Sequence, residues 1–221
     1  VVAEDEAAAT IVEAPAETVA AAPAQSWRLT VVSSDPAPRV RFPRLRRADF
    51  GDLGGTATKF DANVHAIEVL VKLESEQRQT DAAERLALTR YTGWGCQPAA
   101  FNLAGKDAAW TNRASRLHSL LDEDDYTSAK ASINNSHYTP LHVIEAMWAA
   151  VTRLGFNGGR VLEPAAGIGH FIGAMPEELA ERCRITAVEI DRLSGRVLQA
   201  LYGPTGAAVH IAPFEKTSFP N

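Results

Sequence analysis

The sequence predicts an α/β protein: a parallel, doubly wound sheet preceded by a helical region. Three observations carry this reading. Over roughly the last ninety residues, short β-branched runs alternate with amphipathic helical segments, the βαβαβ order of a parallel sheet. A glycine-rich loop, Pro164 to Gly169, separates the first strand from its helix. An acid, Glu189, stands at the end of the second strand. Composition agrees with a folded chain: 221 residues, 46% hydrophobic, 22% charged, formal net charge -5. That length holds one ordinary domain, or one with a tail and a small helical neighbour.

Residues 1–49 read as a flexible linker rich in Ala, Pro and Glu, followed by an arginine-rich segment. Up to about Ala24 there are too few large apolar groups to offset the entropy of ordering. Trp27 to Val32 can form a short strand. Arg39, Arg41, Arg44, Arg46 and Arg47 cluster in a proline-punctuated stretch. Such a cluster grips phosphates or is simply a solvated face. Residues 50–134 read as helical. Ala62, His65, Ala66, Val69, Leu70 and Leu73 recur at helical spacing. Thr80 or Asp81 caps a second helix running to about Thr89. Gly93-Trp94-Gly95 makes a tight turn in which the indole packs. Two further helices span roughly Arg113 to Leu121 and Glu123 to Ser132, with His118 a packed or surface histidine.

Residues 135–221 carry the alternation. Thr139 caps a helix with Pro140 at its first position, and Leu141, Ile144, Met147, Trp148, Val151 and Leu154 form its apolar face. A turn at Gly155 to Gly159 leads to a strand, Arg160 to Glu163. After the glycine loop come a helix from about His170 to Arg182, a strand from Arg184 to Ile190, a helix from Asp191 to Tyr202 and a strand from Ala207 to Ala212.

Several classes are excluded or disfavoured. No apolar run approaches the roughly 20 residues of a membrane helix, and no signal-peptide pattern is present. Two widely separated cysteines, Cys96 and Cys183, argue against a disulfide framework and a four-ligand zinc site. A reducing cytoplasm is the default compartment. Val1 in place of methionine, and the end at Asn221, suggest a piece of a longer protein.

The sharpest signal is Leu162-Glu163-Pro164-Ala165-Ala166-Gly167-Ile168-Gly169-His170-Phe171. Glycines there let backbone approach a ligand that a Cβ would strike. Val188-Glu189-Ile190-Asp191 follows, and an acid at that place accepts ribose hydroxyls. A dinucleotide fits superficially through Gly167, Gly169 and Gly173. However, an acid-proline pair stands where a pyrophosphate site wants glycine and an open helix N-terminus. An acid repels an anion and welcomes an amine. The local chemistry therefore favours S-adenosylmethionine over NAD, and a glycine loop that merely turns the chain is the remaining alternative.

Leu162 to Phe171 resembles motif I of amino-group DNA methyltransferases. Asn135-Ser136-His137-Tyr138-Thr139-Pro140 resembles their motif X, and Val188 to Asp191 their motif II. Motif X ahead of motif I is similar to the gamma arrangement of adenine-specific enzymes. Upstream, Lys59-Phe60 with Asn63, Arg90 to Gly95, Leu154-Gly155-Phe156 and Gly158-Gly159-Arg160 resemble the large methyltransferase–helicase (Swi/Snf-type) fusion proteins of plasmids, phages and integrative elements. The resemblance covers roughly Phe50 to Asn221. It implies the first βαβαβ half of a Rossmann-like S-adenosylmethionine-dependent methyltransferase fold, acting in the bacterial cytoplasm, with no membrane partner. DNA and the C-terminal remainder of the same protein would be its partners.

By the same resemblance, Glu163 meets the methionine amine, and Gly167 and Gly169 shape the loop with Pro164, Ala165 and Phe171. Glu189 binds the ribose beside Ile190. Tyr138, Thr139 and Pro140 close the carboxylate side, and Phe214 flanks the adenine. Tyr138 as core, Thr139 as a cap and Phe214 as sheet packing are the alternatives. Two departures stand out. Cys96 occupies a place where the family has glycine, and Pro213-Phe214 replaces Asp-Phe. The catalytic Asn/Asp-Pro-Pro-Tyr/Phe motif is absent from these residues and is expected beyond Asn221. An NAD(P)-dependent oxidoreductase fragment and a non-catalytic DNA-remodelling or assembly module are the competing functions.

Overall fold

Short polar caps and buried aromatic residues organise the helical region. The computed structural model describes residues 44–50 and 53–219. The expected linker strand at Trp27 to Val32, together with Arg39 and Arg41, lies outside the described residues. Helix α1 (Arg47–Phe50) follows Leu45, which is buried and donates its N–H to the Gly173 carbonyl at 2.9 Å. Residues 44–49, read from sequence as part of the linker and arginine-rich segment, therefore include an anchored apolar residue. Arg47 pairs with Glu145 at the surface.

Helix α2 (Thr56–Glu76) is long, and its buried face runs through Phe60, Asn63, Val64, Ala66, Ile67, Leu70 and Leu73, so the expected Ala66, Leu70 and Leu73 are buried. The face is centred differently from the expected one: His65 is exposed, while Phe60 and Ile67 are fully buried. Helix α3 (Ala82–Thr89) begins at Asp81, whose carboxylate accepts from the Glu84 N–H while the Glu84 carboxylate accepts from the Asp81 N–H. This reciprocal box settles the choice between Thr80 and Asp81. Helices α4 (Ala108–Leu120) and α5 (Glu123–Ala131) are capped by Asp107 and Asp122. His118 is exposed and sits edge-on to Tyr126.

Helix α6 (Leu141–Arg153) starts one residue later than expected. The Pro140 carbonyl accepts the first helical bonds, and Thr139 makes no side-chain cap. Only Ile144 and Trp148 are buried; Met147, Val151 and Leu154 are exposed. Trp148 donates its indole N–H to the Phe171 carbonyl at 2.9 Å and so fixes α6 against the glycine-loop helix.

Strand β1 (Gly159–Glu163) leads to α7 (His170–Gly173), α8 (Glu177–Ala180) and β2 (Cys183–Glu189); α9 (Arg192–Tyr202) then leads to β3 (Ala208–Ile211). The helix expected over residues 170–182 is two short helices. Pro176 separates them, because proline cannot donate within a helix. The sheet is parallel in the order β1-β2-β3, with Glu163 opposite Ala187 and Glu189 opposite Ile211. One face carries the buried Cys183, Ile185, Ala187 and Glu189. The opposite face leaves Leu162, Arg184 and Ala208 exposed. Parallel strands with helical crossovers give an α/β arrangement with a small three-stranded parallel sheet.

Asp125, on α5, is almost wholly buried and pairs with Arg192 and Arg196 of α9, while Arg196 also pairs with Glu74 of α2. This cluster ties the helical region to the crossover helix. Among the described residues, no helix is long and apolar enough to cross a membrane.

Candidate functional site

The site forms where the ends of β1 and β2 meet the segment preceding α6. The Ala166 N–H donates to the Val188 carbonyl at 2.9 Å, which lays the glycine loop along the end of β2. Glu189 completes the join. Its Oε2 accepts from the Gly167 N–H at 2.6 Å and its Oε1 from the Asp191 N–H at 2.8 Å. Burial nevertheless holds this carboxyl above its ordinary pKa, outweighing the two amide bonds. Gly167 has φ +55°, and a Cβ there would lie 3.0 Å from the Tyr138 ring. In this structure the close neighbour of Gly167 is thus Tyr138.

The turn that sequence analysis marked at Trp94 positions Tyr138. Asn63 is fully buried; its amide donates to the Gly93 carbonyl at 2.6 Å and its oxygen accepts from the Thr92 N–H at 2.7 Å. A Cβ on Gly95 would come within 1.8 Å of the Ser136 carbonyl oxygen. Glycine at 95 is what lets residues 136–138 lie on this turn. Cys96, where the resemblance expects glycine, has φ +59°. Its N–H donates to the Ile133 carbonyl at 3.1 Å.

Two adjoining cavities result. The first, about 390 Å³, is lined by Tyr138, Thr139, Ala165, Gly167, Phe171, Glu189 and Ile190, with Ser128, Asp191 and Ser194 among its other walls. The second, about 420 Å³, is lined by Lys59, Thr92, Gln97 and Pro140, and shares Ser136, His137, Tyr138, Thr139 and His170 with the first. Seven of the twelve expected cofactor residues therefore face the first cavity, and Pro140 faces the second. Glu163, Pro164, Gly169 and Phe214 line neither. Glu163 is half-buried, and burial raises its carboxyl pKa. Gly169 faces Tyr202 and Leu198, where a Cβ would come within 2.5 Å of the Tyr202 ring. Phe214 is exposed, with its ring 6.2 Å from that of Phe219.

Sequence reasoning left out a polar relay in the first cavity. The Tyr138 hydroxyl lies 3.1 Å from Ser194 Oγ, and Ser194 donates to Asp191 Oδ2 at 2.6 Å. Tyr138 is therefore the donor to Ser194. Ser128 donates to the other Asp191 oxygen at 3.0 Å. An aspartate followed three residues later by serine at a helix start signals the cap, yet nothing local reveals that Ser128 and Tyr138 join it. His170 was left out as well. It is buried between Phe50 and Tyr138, its Nε2 has no partner, and burial lowers its pKa to about 4.

These features define an α/β protein with a ligand-sized cavity beside the carboxyl ends of parallel strands, the usual ligand position in such sheets. No protein-family model matches the chain, and neither curated proteins nor solved structures give a match. Among the described residues, no group of three metal-ligating side chains is placed to hold a metal ion.

Proposed function

We propose that this chain is the S-adenosylmethionine-binding portion of a DNA methyltransferase acting on the exocyclic amine of adenine, within a helicase-fused protein of a mobile element. The observation that carries the reading is the sign of the first cavity. Glu189 and Asp191 lie on its wall, and among the described residues no lysine or arginine does. Such a wall favours a ligand bearing an amine, a sulfonium and ribose hydroxyls, and opposes a pyrophosphate. The Gly167 N–H, which a dinucleotide would need, is already donated to Glu189. In this reading Glu189 holds the ribose, and Tyr138 and Thr139 close the methionine end. Base extrusion and methyl transfer need an Asn/Asp-Pro-Pro-Tyr/Phe motif, which these 221 residues do not contain. DNA and the remainder of the protein are thus the proposed partners.

Isothermal titration with S-adenosylmethionine, S-adenosylhomocysteine and NAD tests the proposal. The first two should bind saturably and compete, and NAD should not displace them. Tighter binding of NAD would overturn the assignment in favour of the oxidoreductase reading.

A further inference from the structure

Among the described residues, four buried side-chain polar atoms have no hydrogen-bond partner: Tyr91 Oη, Trp94 Nε1, Gln97 Oε1 and His170 Nε2. Tyr91 and Trp94 belong to the apolar core and line neither cavity. Gln97 and His170 both line the second cavity, although they are only 3% and 8% exposed. Both of their orphaned atoms are acceptors. The Gln97 amide nitrogen donates to the Gly93 carbonyl at 3.2 Å, and a flipped amide would set two oxygens together there, so Oε1 is the atom left over. The His170 ring bonds the Thr89 backbone, and since Nε2 has no partner that bond uses Nδ1. A neutral imidazole has one N–H; placed on Nδ1, it leaves Nε2 a bare lone pair. A buried acceptor is costly unless a donor reaches it.

The rest of the wall indicates what supplies the donors. Phe50, His137, Tyr138 and His170 give it four rings, flat surfaces on which a planar ligand stacks. Among the described residues no aspartate or glutamate faces it and Lys59 does, so a cation is opposed. A carboxylate or phosphate would set its oxygens against the two lone pairs. We infer that the second cavity binds a neutral heteroaromatic ring carrying an amino group, the donor edge of a nucleobase, with Gln97 Oε1 and His170 Nε2 as acceptors of its N–H bonds. A cavity of about 420 Å³ has room for such a ring. This ligand is a second molecule, and its assignment stands whether or not the first cavity holds S-adenosylmethionine. A free base and a base carried by a nucleic acid present the same edge, and the experiment separates them.

The test is calorimetry on the full chain with 9-methyladenine and with 9-methylpurine, which has the same rings and no amino group. Wild type should bind 9-methyladenine about 5-fold or more tightly than 9-methylpurine, as expected for one or two neutral hydrogen bonds. Gln97→Met and His170→Phe, each first shown by its melting curve to be folded, should each reduce that preference by weakening 9-methyladenine and not 9-methylpurine. Saturating S-adenosylhomocysteine should leave the binding of 9-methyladenine unchanged. Equal affinity of wild type for the two bases, no binding of 9-methyladenine, a preference that survives both substitutions, or displacement by S-adenosylhomocysteine overturns the assignment. The comparison of the two bases needs no variant. Binding of S-adenosylhomocysteine by itself reads the first cavity, so either proposal can fail alone. A thymine tract with one adenine then decides the source. Binding that Gln97→Met weakens, and that an all-thymine tract lacks, assigns a base carried by nucleic acid; without it the ligand is a free base.

Discussion

Glu189→Gln separates ligand recognition from bracing of the glycine loop. Each carboxylate oxygen accepts one backbone N–H, from Gly167 at 2.6 Å or from Asp191 at 2.8 Å, and keeps a second lone pair. Both lie in a side chain on the wall of the acidic cavity. Glutamine retains one acceptor oxygen and puts an NH2 where the other oxygen was. A ribose hydroxyl donating to that oxygen then meets a donor. Loss of one such bond costs about 1.5–3 kcal/mol, or roughly 10- to 150-fold in S-adenosylmethionine affinity. Adenosine and 2′,3′-dideoxyadenosine provide the control. Wild type should prefer adenosine, and the glutamine variant should bind the two alike. Stability follows a different course. Burial raises the folded-state pKa of Glu189 above the ordinary 4.5, so its contribution is complete below 4.5 and is lost as pH rises through the folded value. Glutamine does not titrate. The stability of wild type relative to the variant should therefore decline with rising pH. Calorimetry at pH 8 and melts at pH 4 and pH 8 read both effects. Unchanged discrimination between the two nucleosides would refute the ribose assignment, and a wild-type advantage that grows with pH would refute the burial argument.

Two further outcomes follow from the same packing. Cys96 is exposed and holds φ +59°, which costs a non-glycine residue about 1–2 kcal/mol. Cys96→Gly should raise unfolding stability in urea by about 0.5–1 kcal/mol after glycine's larger chain entropy is counted; a loss of stability would show that the thiol packs. Burial lowers the pKa of His170 from 6.5 to about 4, so the stability it confers is present above pH 6.5 and is lost as pH falls toward 4. Between those values wild type should lose about 3 kcal/mol more than His170→Phe, and parallel pH profiles would count against a buried neutral imidazole.

How much of this was legible in the sequence depended on how far apart the contributing residues lie. Periodicity located β1, β2, β3 and α9, because strands and amphipathic helices repeat within a few residues. The break at Pro176 was written in the sequence just as locally, as a proline inside a helical pattern, and the longer helix overran it. The buried face of α2 is centred differently from the expected one because Asn63, polar and fully buried, belongs to it; its partners at Thr92 and Gly93 lie some thirty residues on. Distance in sequence hides the second cavity altogether. Lys59, Thr92, Gln97 and His137 each look like ordinary surface polar residues, and only the turn at Gly95 brings residues 136–138 against them. That turn links the helical region to the cavity chemistry. Asn63 holds it, Gly95 admits the Ser136 backbone, and Tyr138 is thereby carried to the relay with Ser194 and Asp191. The helical region is accordingly part of the site's construction, since it contributes the bed on which one cavity wall rests.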